Sequence, residues 1–420
     1  MKTCYAFKTC YAFLVAFMLL VTQSCNNNVE LSLEKLSLEN NQELTENFIS
    51  ENDILEIAES VFCDLNAGIS TYSSEQLSLP ITENKVAKIQ SVKDKDHIPA
   101  YYITNFEKGG WIIFSADKRT TSIMAISDKG SFDTDETEED MPFGLSVWMN
   151  DMIKVVEYVR EANVDLTKQP AVSDENARTY AVVYDGPTGK ITSPINVVVQ
   201  INTETGWRQT TDGGQIYNNK MPTISGGCKA SAGCIVVALA QLMKYWKYPS
   251  SFYTGNGYSR TGGTSSYNWN AMSLYASTTQ QQQLYVDLAT ELHATYNTCT
   301  STSAYLPDLV SALYQYGYSS TLAPFTNTTP YSPSLVAWEM YTYERPCLFA
   351  AVDTTGVNNV GHVWICDGLG ILDSQYVLHM NWGWATQYNG YFWESLWAVG
   401  GPSGYVFNYD RNIVHNIKPR

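Results

Sequence analysis

The stretch GGCKASAGCIVVALAQLMKYWKYP, residues 226–249, holds two closely spaced thiols and a long apolar run. The run is apolar on almost every face, which predicts a buried helix that begins near Cys234 and ends before Pro249. Gly233 allows the chain to turn tightly into that helix. Because the unpaired N–H groups and the dipole at a helix start favour a thiolate, the pattern indicates a rigidly held nucleophile at Cys234.

Three other interpretations of these thiols are open. A free cysteine is often only a small buried apolar residue, and we expect Cys228 to be an ordinary loop cysteine. A disulfide between Cys228 and Cys234 would close a very short loop and would block the chemistry of Cys234. A zinc site needs a second closely spaced pair of ligands, which neither the other cysteines nor the histidines supply, so no metal or cofactor is expected.

A thiolate nucleophile needs an imidazole to share its proton and a third group to orient that ring. Three of the five histidines lie in segments without a supporting motif: His97, His293 and His415. His362 opens the strand-like run GHVWICDG, and Asn381 in LHMNWGW is the predicted acceptor of its ring N–H, with Trp382 shielding that bond from water. His379 is two residues from Asn381, so in a strand the two side chains would lie on the same face rather than meet across a gap. His362 is therefore the predicted base.

The spacing and an upstream amide support this set. His362 and Asn381 follow Cys234 by roughly 130 and roughly 150 residues, the separations typical of papain-type enzymes. The oxyanion formed during attack on a carbonyl needs hydrogen-bond donors, commonly the backbone N–H of the nucleophile and a side-chain amide. The element GWRQTTDGGQIYNNKMP offers Gln209 and Gln215, and the chemistry alone does not choose between them.

The composition limits the classes of partner. The chain has 420 residues, of which 44% are hydrophobic, and a formal net charge of −16. This length supports two or three folded domains. Nucleic-acid binding depends on clustered Lys and Arg, and the sequence has no basic patch, so no nucleic-acid partner is expected.

Residues 1–25, MKTCYAFKTCYAFLVAFMLLVTQSC, are predicted to be an export signal. They have a Lys-bearing front, an apolar core too short to cross a bilayer and a small residue before Cys25. The Ser24-Cys25 step resembles a bacterial lipoprotein cleavage site, which would place a lipid on Cys25 and tether the protein to the outer membrane or cell surface. Plain secretion is the alternative.

The remainder is predicted to contain two folded units. Residues 26–165 form a small α+β unit, with helical periodicity in NFISENDILEIAESVF and FGLSVWMNDMIKVVEYVREA and consecutive antiparallel strands over residues 98–132. A polar linker follows at residues 166–190. In residues 191–420 the helical segments TQQQQLYVDLATELHATYNT and AYLPDLVSALYQYGY precede the strand-like segments RPCLFAAVDT, GHVWICDGLG, YVLHMNWGW and NGYFWES. This order indicates an α+β arrangement with a seam between two lobes.

The second unit resembles the streptopain family of cysteine peptidases, the streptococcal pyrogenic exotoxin B type. The segments that carry the likeness are GCIVVALAQLMKYWKYP, GHVWICDG, LHMNWGW, YNWNAM and GWRQ with YNNKMP, and GGWIIFSADKRTTSIMAISDKGSF is similar to the pro-segment of the family. The resemblance implies an α+β fold: a papain-like, two-lobe peptidase domain with the Cys helix in a helical lobe and the His and Asn in an antiparallel β lobe, preceded by a small α+β pro-domain.

The resemblance also implies a role for each of the following residues: Cys234 as nucleophile, His362 as general base and acid, Asn381 as the orienting residue, Trp382 as its shield and Gln209 as an oxyanion donor. The expected function is hydrolysis of peptide bonds in protein or peptide substrates, by a self-processing zymogen whose pro-domain is an intramolecular inhibitor. An amidase or acyl transferase of the same geometry and an inactive binding lipoprotein are the alternatives. The Ile-Val-Val that follows the nucleophile, Ala385 and the added thiol of Cys228 depart from the family pattern.

Overall fold

The structure, a computed structural model, describes residues 46–70, 83–133, 141–168, 196–201, 203–212, 214–253, 264–325, 333–353, 361–372, 375–393 and 409–420. The predicted export signal with Cys25, and residues 169–190 of the predicted linker, lie outside the described residues. The chain divides into two units, Met1–Ile49 and Ser50–Arg420. The second unit contains both the front α+β element and all the candidate site residues.

The front element contains two long helices and four antiparallel strands. In chain order these are α1 (Glu51–Ser70), β1 (Val86–Lys93), β2 (Pro99–Phe106), β3 (Trp111–Ser115), β4 (Ile123–Ser127) and α2 (Phe143–Ala162). The helices and the strands from β2 to β4 confirm the sequence prediction, and β1 was not predicted. α2 buries an apolar stripe that includes Leu145, Met152 and Val156, and it ends where Asn163 adopts a left-handed backbone with φ 49°.

The rear element begins with β5 (Asn196–Gln200) and a group of helices. These are α3 (Cys234–Trp246), α4 (Thr279–Glu291), α5 (Leu306–Gln315) and α6 (Pro333–Ala337), which continues as the π-helical turn Trp338–Thr342. Three small hairpins lie among them: β6 (Thr211–Asp212) with β7 (Gln215–Ile216), β8 (Ser251–Tyr253) with β9 (Thr264–Ser266), and β10 (Thr295–Tyr296) with β11 (Thr302–Ser303).

One predicted helix was too long. The segment TQQQQLYVDLATELHATYNT was expected to be helical throughout, but α4 ends at Glu291 and the last residues of the segment enter the β10–β11 hairpin. His293 adopts φ 50° just after the helix. A left-handed residue stops helical propagation, and the Thr and Tyr that follow favour extended structure.

The last part of the chain consists mainly of strands. They are β12 (Tyr318–Phe325), β13 (Cys347–Asp353), β14 (Gly361–Leu372), β15 (Gln375–Asn381), β16 (Gly390–Trp393) and β17 (Tyr409–Pro419). The four strands predicted here correspond to β13, β14, β15 and β16 and are confirmed. β5, β12 and β17 were not predicted.

A single sheet of 11 strands connects the front and rear elements among the described residues. Its order is β1-β2-β3-β4-β16-β15-β14-β13-β17-β12, with β5 paired to β14 off this path. The front and rear strands meet where Ala125 and Ile126 of β4 pair antiparallel with Phe392 and Tyr391 of β16. The front element therefore extends the sheet of the rear element.

Two apolar clusters lie on either side of β14. One crosses the front–rear boundary and includes Trp111, Trp148, Trp364, Trp382 and Phe392. The other packs the helices α3, α4 and α5 against the sheet and includes Val236, Leu284, Leu309, Leu348 and Ile365. Alternate residues of β14 enter opposite clusters, as expected for a strand covered on both faces. The N-terminal end of β14 is thereby held between the helical lobe and the front element.

Candidate active site

Cys234 is the first residue of α3, as predicted. Gly233 before it has φ 89° and ψ 147°, a conformation that glycine adopts without strain. A Cβ on Gly233 would lie 3.3 Å from Thr302, so the approach to the helix is also sterically confined. The helix residues after Cys234, from Ile235 to Met243, are buried. The thiol therefore stands on a rigid mount.

The thiol of Cys234 is free and half-buried. Burial raises its pKa above the ordinary value of 9.0, and backbone N–H groups of Val363, Ile235 and Cys234 itself lower the pKa only in part. The helix start thus acts in the predicted direction, but desolvation outweighs it. In this state of the molecule the Cys234 side chain is a thiol at neutral pH.

His362 lies across the seam from Cys234. The Cys234 Sγ donates to the carbonyl of Gly361, the residue before His362, at 4.0 Å, so the Cys helix meets the start of β14. The ring of His362 is buried, and its Nε2 lies 3.0 Å from the carbonyl oxygen of Trp382. Burial lowers the pKa of His362 from 6.5 to about 4, although the Trp382 carbonyl acts in the opposite direction. The imidazole is therefore neutral at pH 7.

Asn381 was expected to accept the ring N–H of His362, and in this structure it does not. Its Nδ2 donates to Thr203 Oγ1 at 3.2 Å, and its Oδ1 accepts from the backbone N–H of Gly383 at 3.2 Å. His362 instead uses the carbonyl of Trp382, the next residue. Gly144 of α2 lies against the ring: a Cβ there would be 3.0 Å from His362 Cδ2. The front element therefore packs against the ring and limits its room, while the ring bonds to the Trp382 carbonyl and not to the Asn381 amide.

Trp382 is buried and packs between two other rings. Its ring centroid is 5.0 Å from that of Trp364 and 5.2 Å from that of Phe392, which it meets edge-on. Trp364 also stacks on His362, with the centroids 5.8 Å apart and the planes at 16°. Trp382 contacts His362 through its backbone carbonyl and its indole packs on Trp364 and Phe392, and the His362–Asn381 bond that the indole was predicted to shield is not formed in this state.

The structure separates the two candidate oxyanion glutamines. Gln209 Oε1 accepts from the hydroxyl of Ser231 at 3.1 Å, and its backbone carbonyl accepts from Ala232 at 2.9 Å. Gln209 is thus attached to the loop that leads into Cys234. Gln215 instead accepts from the backbone N–H of Ser277 at 3.1 Å. Of the two, Gln209 is the one that contacts the loop before Cys234, and its role as an oxyanion donor stays a prediction.

His379, which was not expected to be the base, belongs to a buried polar cluster. Its Nδ1 lies 2.6 Å from Asp367 Oδ1 and its Nε2 4.0 Å from Glu204. Burial lowers the pKa of His379, but the charge and hydrogen bond of Asp367, together with Glu204, raise it above the ordinary value overall. The ring is therefore held by two buried carboxylates, and its contacts do not include Cys234.

Sequence reasoning missed three polar residues that contact the predicted site. Thr203 and Asn389 both contact the side chain of Asn381, and Asp367 contacts Thr203. One signal was present: Asp367 is a lone acidic residue in the apolar run of GHVWICDG, and a buried carboxylate needs partners. Thr203 and Asn389 carry no such signal.

The front element covers the site through several polar contacts. Lys129 forms an ion pair with the buried Glu204, and Asp151 of α2 forms one with Arg411 of β17. Trp148 Nε1 donates to the carbonyl of Trp393 at 3.2 Å. Together with Gly144 beside His362, these contacts place α2 and the loop after β4 directly against the β lobe.

The cysteines gave one clear correction. Cys228, expected to be an ordinary loop cysteine, forms a disulfide with Cys299, 71 residues later. The expectation failed because the β10–β11 hairpin folds back onto the loop before Cys234, where Thr302 Oγ1 donates to the carbonyl of Ser231 at 2.6 Å. Cys234 remains free, so the two quoted thiols are not joined to each other.

Two further observations concern the described part of the chain. Its His, Cys, Asp and Glu side chains form no group of three or more that could hold a metal ion. None of its helices combines the length and apolar character that a membrane crossing requires.

Comparisons with known proteins agree with this geometry. Residues 207–392 match the peptidase C10 family, and residues 46–156 match the Spi protease inhibitor family. The chain is 26% identical over 357 residues to streptopain of Streptococcus pyogenes, covering 76% of this chain and 80% of streptopain. It is 25% identical over 346 residues to the thiol protease/hemagglutinin PrtT of Porphyromonas gingivalis, covering 74% of this chain but only 36% of PrtT.

A solved structure shows the same fold. A fragment of prointerpain A of Prevotella intermedia superposes with a TM-score of 0.54 at 18% identity, covering 80% of this chain and 99% of that fragment. The protein is thus a papain-like cysteine peptidase with an N-terminal pro-domain, as the fold class predicted. Residues 207–392 belong to peptidase family C10, the family of streptopain, and the front element, which matches the Spi protease inhibitor family, is the inhibitory pro-domain.

Proposed function

We propose that this protein is an exported cysteine endopeptidase, made as a zymogen that processes itself. The observation that carries the proposal is the meeting of the Cys234 helix start with the His362 strand across the seam, beneath a pro-domain that holds the His362 ring. The proposed chain organisation is an export signal at 1–25, a pro-domain at 26–165, a maturation region at 166–190 and the peptidase domain at 191–420.

Departure of the pro-domain is the proposed activating step. Once Gly144 no longer confines the ring, His362 is free to turn toward Cys234 on one side and the Asn381 amide on the other. Proton transfer from Cys234 to His362 then gives a thiolate and an imidazolium, each stabilised by the other. Trp382 keeps the bond between His362 and Asn381 away from water.

The proposed reaction proceeds through an acyl-enzyme. The Cys234 thiolate attacks the scissile carbonyl carbon, and the resulting oxyanion is stabilised by the Cys234 backbone N–H and the Gln209 amide. The carbon–nitrogen bond breaks as His362 gives its proton to the leaving amine. Water then attacks the thioester while His362 takes its proton, which releases the new carboxylate and regenerates the thiol.

The test uses the chain from Asn26 onward as wild type, as Cys234→Ala and as the control Cys63→Ala, which removes a free thiol of α1. The mass of each chain is followed over time with and without an epoxide thiol inhibitor. The wild type and the control should shorten, cleave casein and take up the inhibitor at Cys234, whereas Cys234→Ala should do none of these. A wild type that does none of them overturns the proposal, and a substrate that changes mass without chain cleavage indicates an amidase or acyl transferase instead.

The proposed site of attachment is Cys25. After expression of the full chain in a bacterial host, mass spectrometry of the membrane fraction should show a diacylglycerol-modified Cys25 at the new N-terminus. The variant Cys25→Ser should lose the lipid and leave the membrane fraction. An unmodified mature chain in the medium, for wild type as well as variant, would favour plain secretion.

A further inference from the structure

A chain of buried hydrogen bonds lies behind Asn381. Asn381 Nδ2 donates to Thr203 Oγ1 at 3.2 Å, and the Thr203 hydroxyl bonds to Asp367 Oδ2 at 2.6 Å. The backbone N–H of Thr203 donates to the same carboxylate oxygen at 3.1 Å. All three residues are buried, and a buried polar group that loses its partner is costly. The direction of each bond is therefore strongly determined.

The hydroxyl of Thr203 fixes one end of the Asn381 amide. A carboxylate accepts hydrogen bonds, and Asp367 Oδ2 already receives a backbone N–H that can only donate. The single proton of the Thr203 hydroxyl is directed to that carboxylate, so its oxygen can only accept from Asn381. If the amide were turned over, its oxygen would face a hydroxyl that has no proton left to give. The nitrogen end of Asn381 therefore faces Thr203.

The other end of the amide is fixed independently. The backbone N–H of Gly383 donates to Asn381 Oδ1 at 3.2 Å, and Asn389 Nδ2 donates to it at 3.4 Å. A backbone N–H cannot accept, so this end must be the oxygen. It faces the turn at residues 382–389, and the first carbonyl of that turn, on Trp382, holds His362 Nε2 at 3.0 Å. The oxygen of Asn381 thus faces the same turn that holds the His362 ring.

The fold aims Asp367 at Thr203. The register between β14 and β15 shifts between Cys366 and Gly368, so Asp367 is the extra residue of a β-bulge. Its backbone carbonyl accepts from Ile201 at 2.6 Å, which brings the segment carrying Thr203 alongside. The titratable groups that interact with this carboxylate are His379, Tyr391 and Cys366, and Glu204 and Lys129 act on His379 in turn. His379 contacts it most closely, with Nδ1 2.6 Å from Oδ1, so both oxygens of the carboxylate have a partner.

We propose that Thr203, backed by Asp367, is a positioning residue that locks the Asn381 amide with its oxygen toward His362. The inference rests on the proposed function, because it concerns how Asn381 supports His362 in the active enzyme. Without the Thr203 hydroxyl the amide is held from one end only, by Gly383 and Asn389, so the turned form of the amide gains population. A turned amide presents its NH₂ to the ring N–H of His362, two donors that cannot bond, and the imidazolium loses its acceptor.

The test compares Thr203→Val, which removes the hydroxyl at nearly constant shape, with Thr203→Ser, which keeps it. The matched control is Thr205→Val, because Thr205 is equally buried, accepts from Gln241 Nε2 at 2.9 Å and does not contact Asn381. Each full chain is matured by a trace of tagged wild-type enzyme, which is then removed. The measurements are kcat and KM for a fluorogenic peptide across pH, and the thermal melt of each chain.

For Thr203→Val we expect kcat to fall about tenfold while KM stays within about twofold of the wild-type value. The alkaline limb of the kcat/KM profile should move about one pH unit toward acid, because a less stabilised His362 imidazolium loses its proton at lower pH. Thr203→Ser should restore the wild-type profile, and Thr205→Val should lower the melting temperature without moving either limb. If Thr203→Val melts below the assay temperature, Thr203→Ala takes its place.

An active wild type with a Thr203→Val profile equal to its own, or equal to that of Thr205→Val, overturns this inference alone. A wild type that hydrolyses no peptide overturns the proposed function, and the inference with it.

Discussion

Cys234 shows how the state of the whole molecule decides the chemistry of one residue. A helix start favours the thiolate, yet desolvation raises the pKa of Cys234, and the neutral His362 provides no positive charge nearby. In this state Cys234, the proposed nucleophile, is held at a helix start but is not ionised. Pro-domain removal must therefore change the electrostatics of the site as well as its access.

This leads to a prediction on thiol reactivity. In the full chain at pH 7, alkylation of Cys234 by iodoacetamide should be at least about tenfold slower than in the matured enzyme, because only the thiolate reacts. Peptide mapping after timed exposure measures the rate, and Cys63 in the same full chain reports the reactivity of a free thiol outside the site. Equal rates for Cys234 before and after maturation would contradict the prediction.

The buried neutral ring of His362 predicts sensitivity of the zymogen to acid. Its pKa is about 4 in the folded chain, against an ordinary 6.5, so the unfolded chain takes up the proton first as the pH falls. The corresponding stability is fully present above pH 6.5 and is lost as the pH falls through about 4. At roughly 1.4 kcal/mol per pKa unit, the full loss is about 3 kcal/mol.

The measurement is the free energy of unfolding at pH 7 and pH 5 in the Cys234→Ala background, which prevents processing. His362→Gln removes the titration, so its loss on acidification should be smaller than that of the parent chain. His379 has a raised pKa, so its contribution to the pH dependence of the free energy of unfolding has the opposite sign. Because His379 is present in both chains, its contribution cancels in the comparison. Equal losses in the two chains would show that His362 is not held neutral by burial.

At the scale of elements, the pro-domain joins the peptidase domain through one strand pair. Gly390, at the start of β16, lies so close to β4 that a Cβ there would be 2.5 Å from the carbonyl oxygen of Ile126 and 3.0 Å from the ring of Trp111. No side chain fits at such a distance from a backbone oxygen. Glycine at this position is therefore a condition for the continuous sheet.

The variant Gly390→Ala should loosen the pro-domain strands from β16. In the Cys234→Ala background we expect the half-life of the intact chain in thermolysin to be about tenfold shorter than that of its parent, because the boundary between β4 and β16 opens more often. Gly206→Ala is the control: its Cβ would meet Tyr275 at 3.3 Å, inside the peptidase domain. A Gly390→Ala chain as resistant as the control would contradict the proposed close fit.

Local sequence pattern predicted the elements well and their pairing poorly. The segment predicted as the second pro-domain helix coincides with α2, because helical periodicity and its end are encoded within the segment. The pairing of β4 with β16 and the disulfide between Cys228 and Cys299 join distant segments, and neither leaves a local signal. The bonding of His362 was missed for a similar reason: the prediction assumed an active arrangement, whereas Gly144, more than two hundred residues earlier, confines the ring.

At the scale of the molecule, the pro-domain and the peptidase domain share one sheet and one apolar cluster. The cluster combines Trp111 and Trp148 of the pro-domain with Trp364, Trp382 and Phe392 of the peptidase domain. Residues 50–420 accordingly form one compact unit. The inhibition by the pro-domain thus involves a shared core as well as packing against the candidate site.

The ion pair between Asp151 and Arg411 tests this shared core. Both side chains are buried, and burial raises the pKa of Asp151 even though Arg411 acts against it, so each charge depends on the other. Asp151→Ala, which removes the carboxylate of this buried ion pair, should lower the free energy of unfolding by about 3–5 kcal/mol in the Cys234→Ala background. Because the pair joins α2 to β17, the loss should appear in one cooperative urea transition reported alike by fluorescence and circular dichroism.

Two further variants separate this effect from a general effect of substitution on α2. Lys154→Ala removes a cation that lies 3.7 Å from Asp151, and the Lys154 side chain is 31% exposed. This variant should lower the free energy of unfolding by no more than about 1 kcal/mol. Asp151→Leu combined with Arg411→Met replaces the pair by apolar side chains and should recover most of the loss. Asp151→Ala could lower the free energy of unfolding as little as Lys154→Ala does, or the pro-domain could unfold in a separate, earlier transition. Either result would show that the two domains do not share one cooperative core.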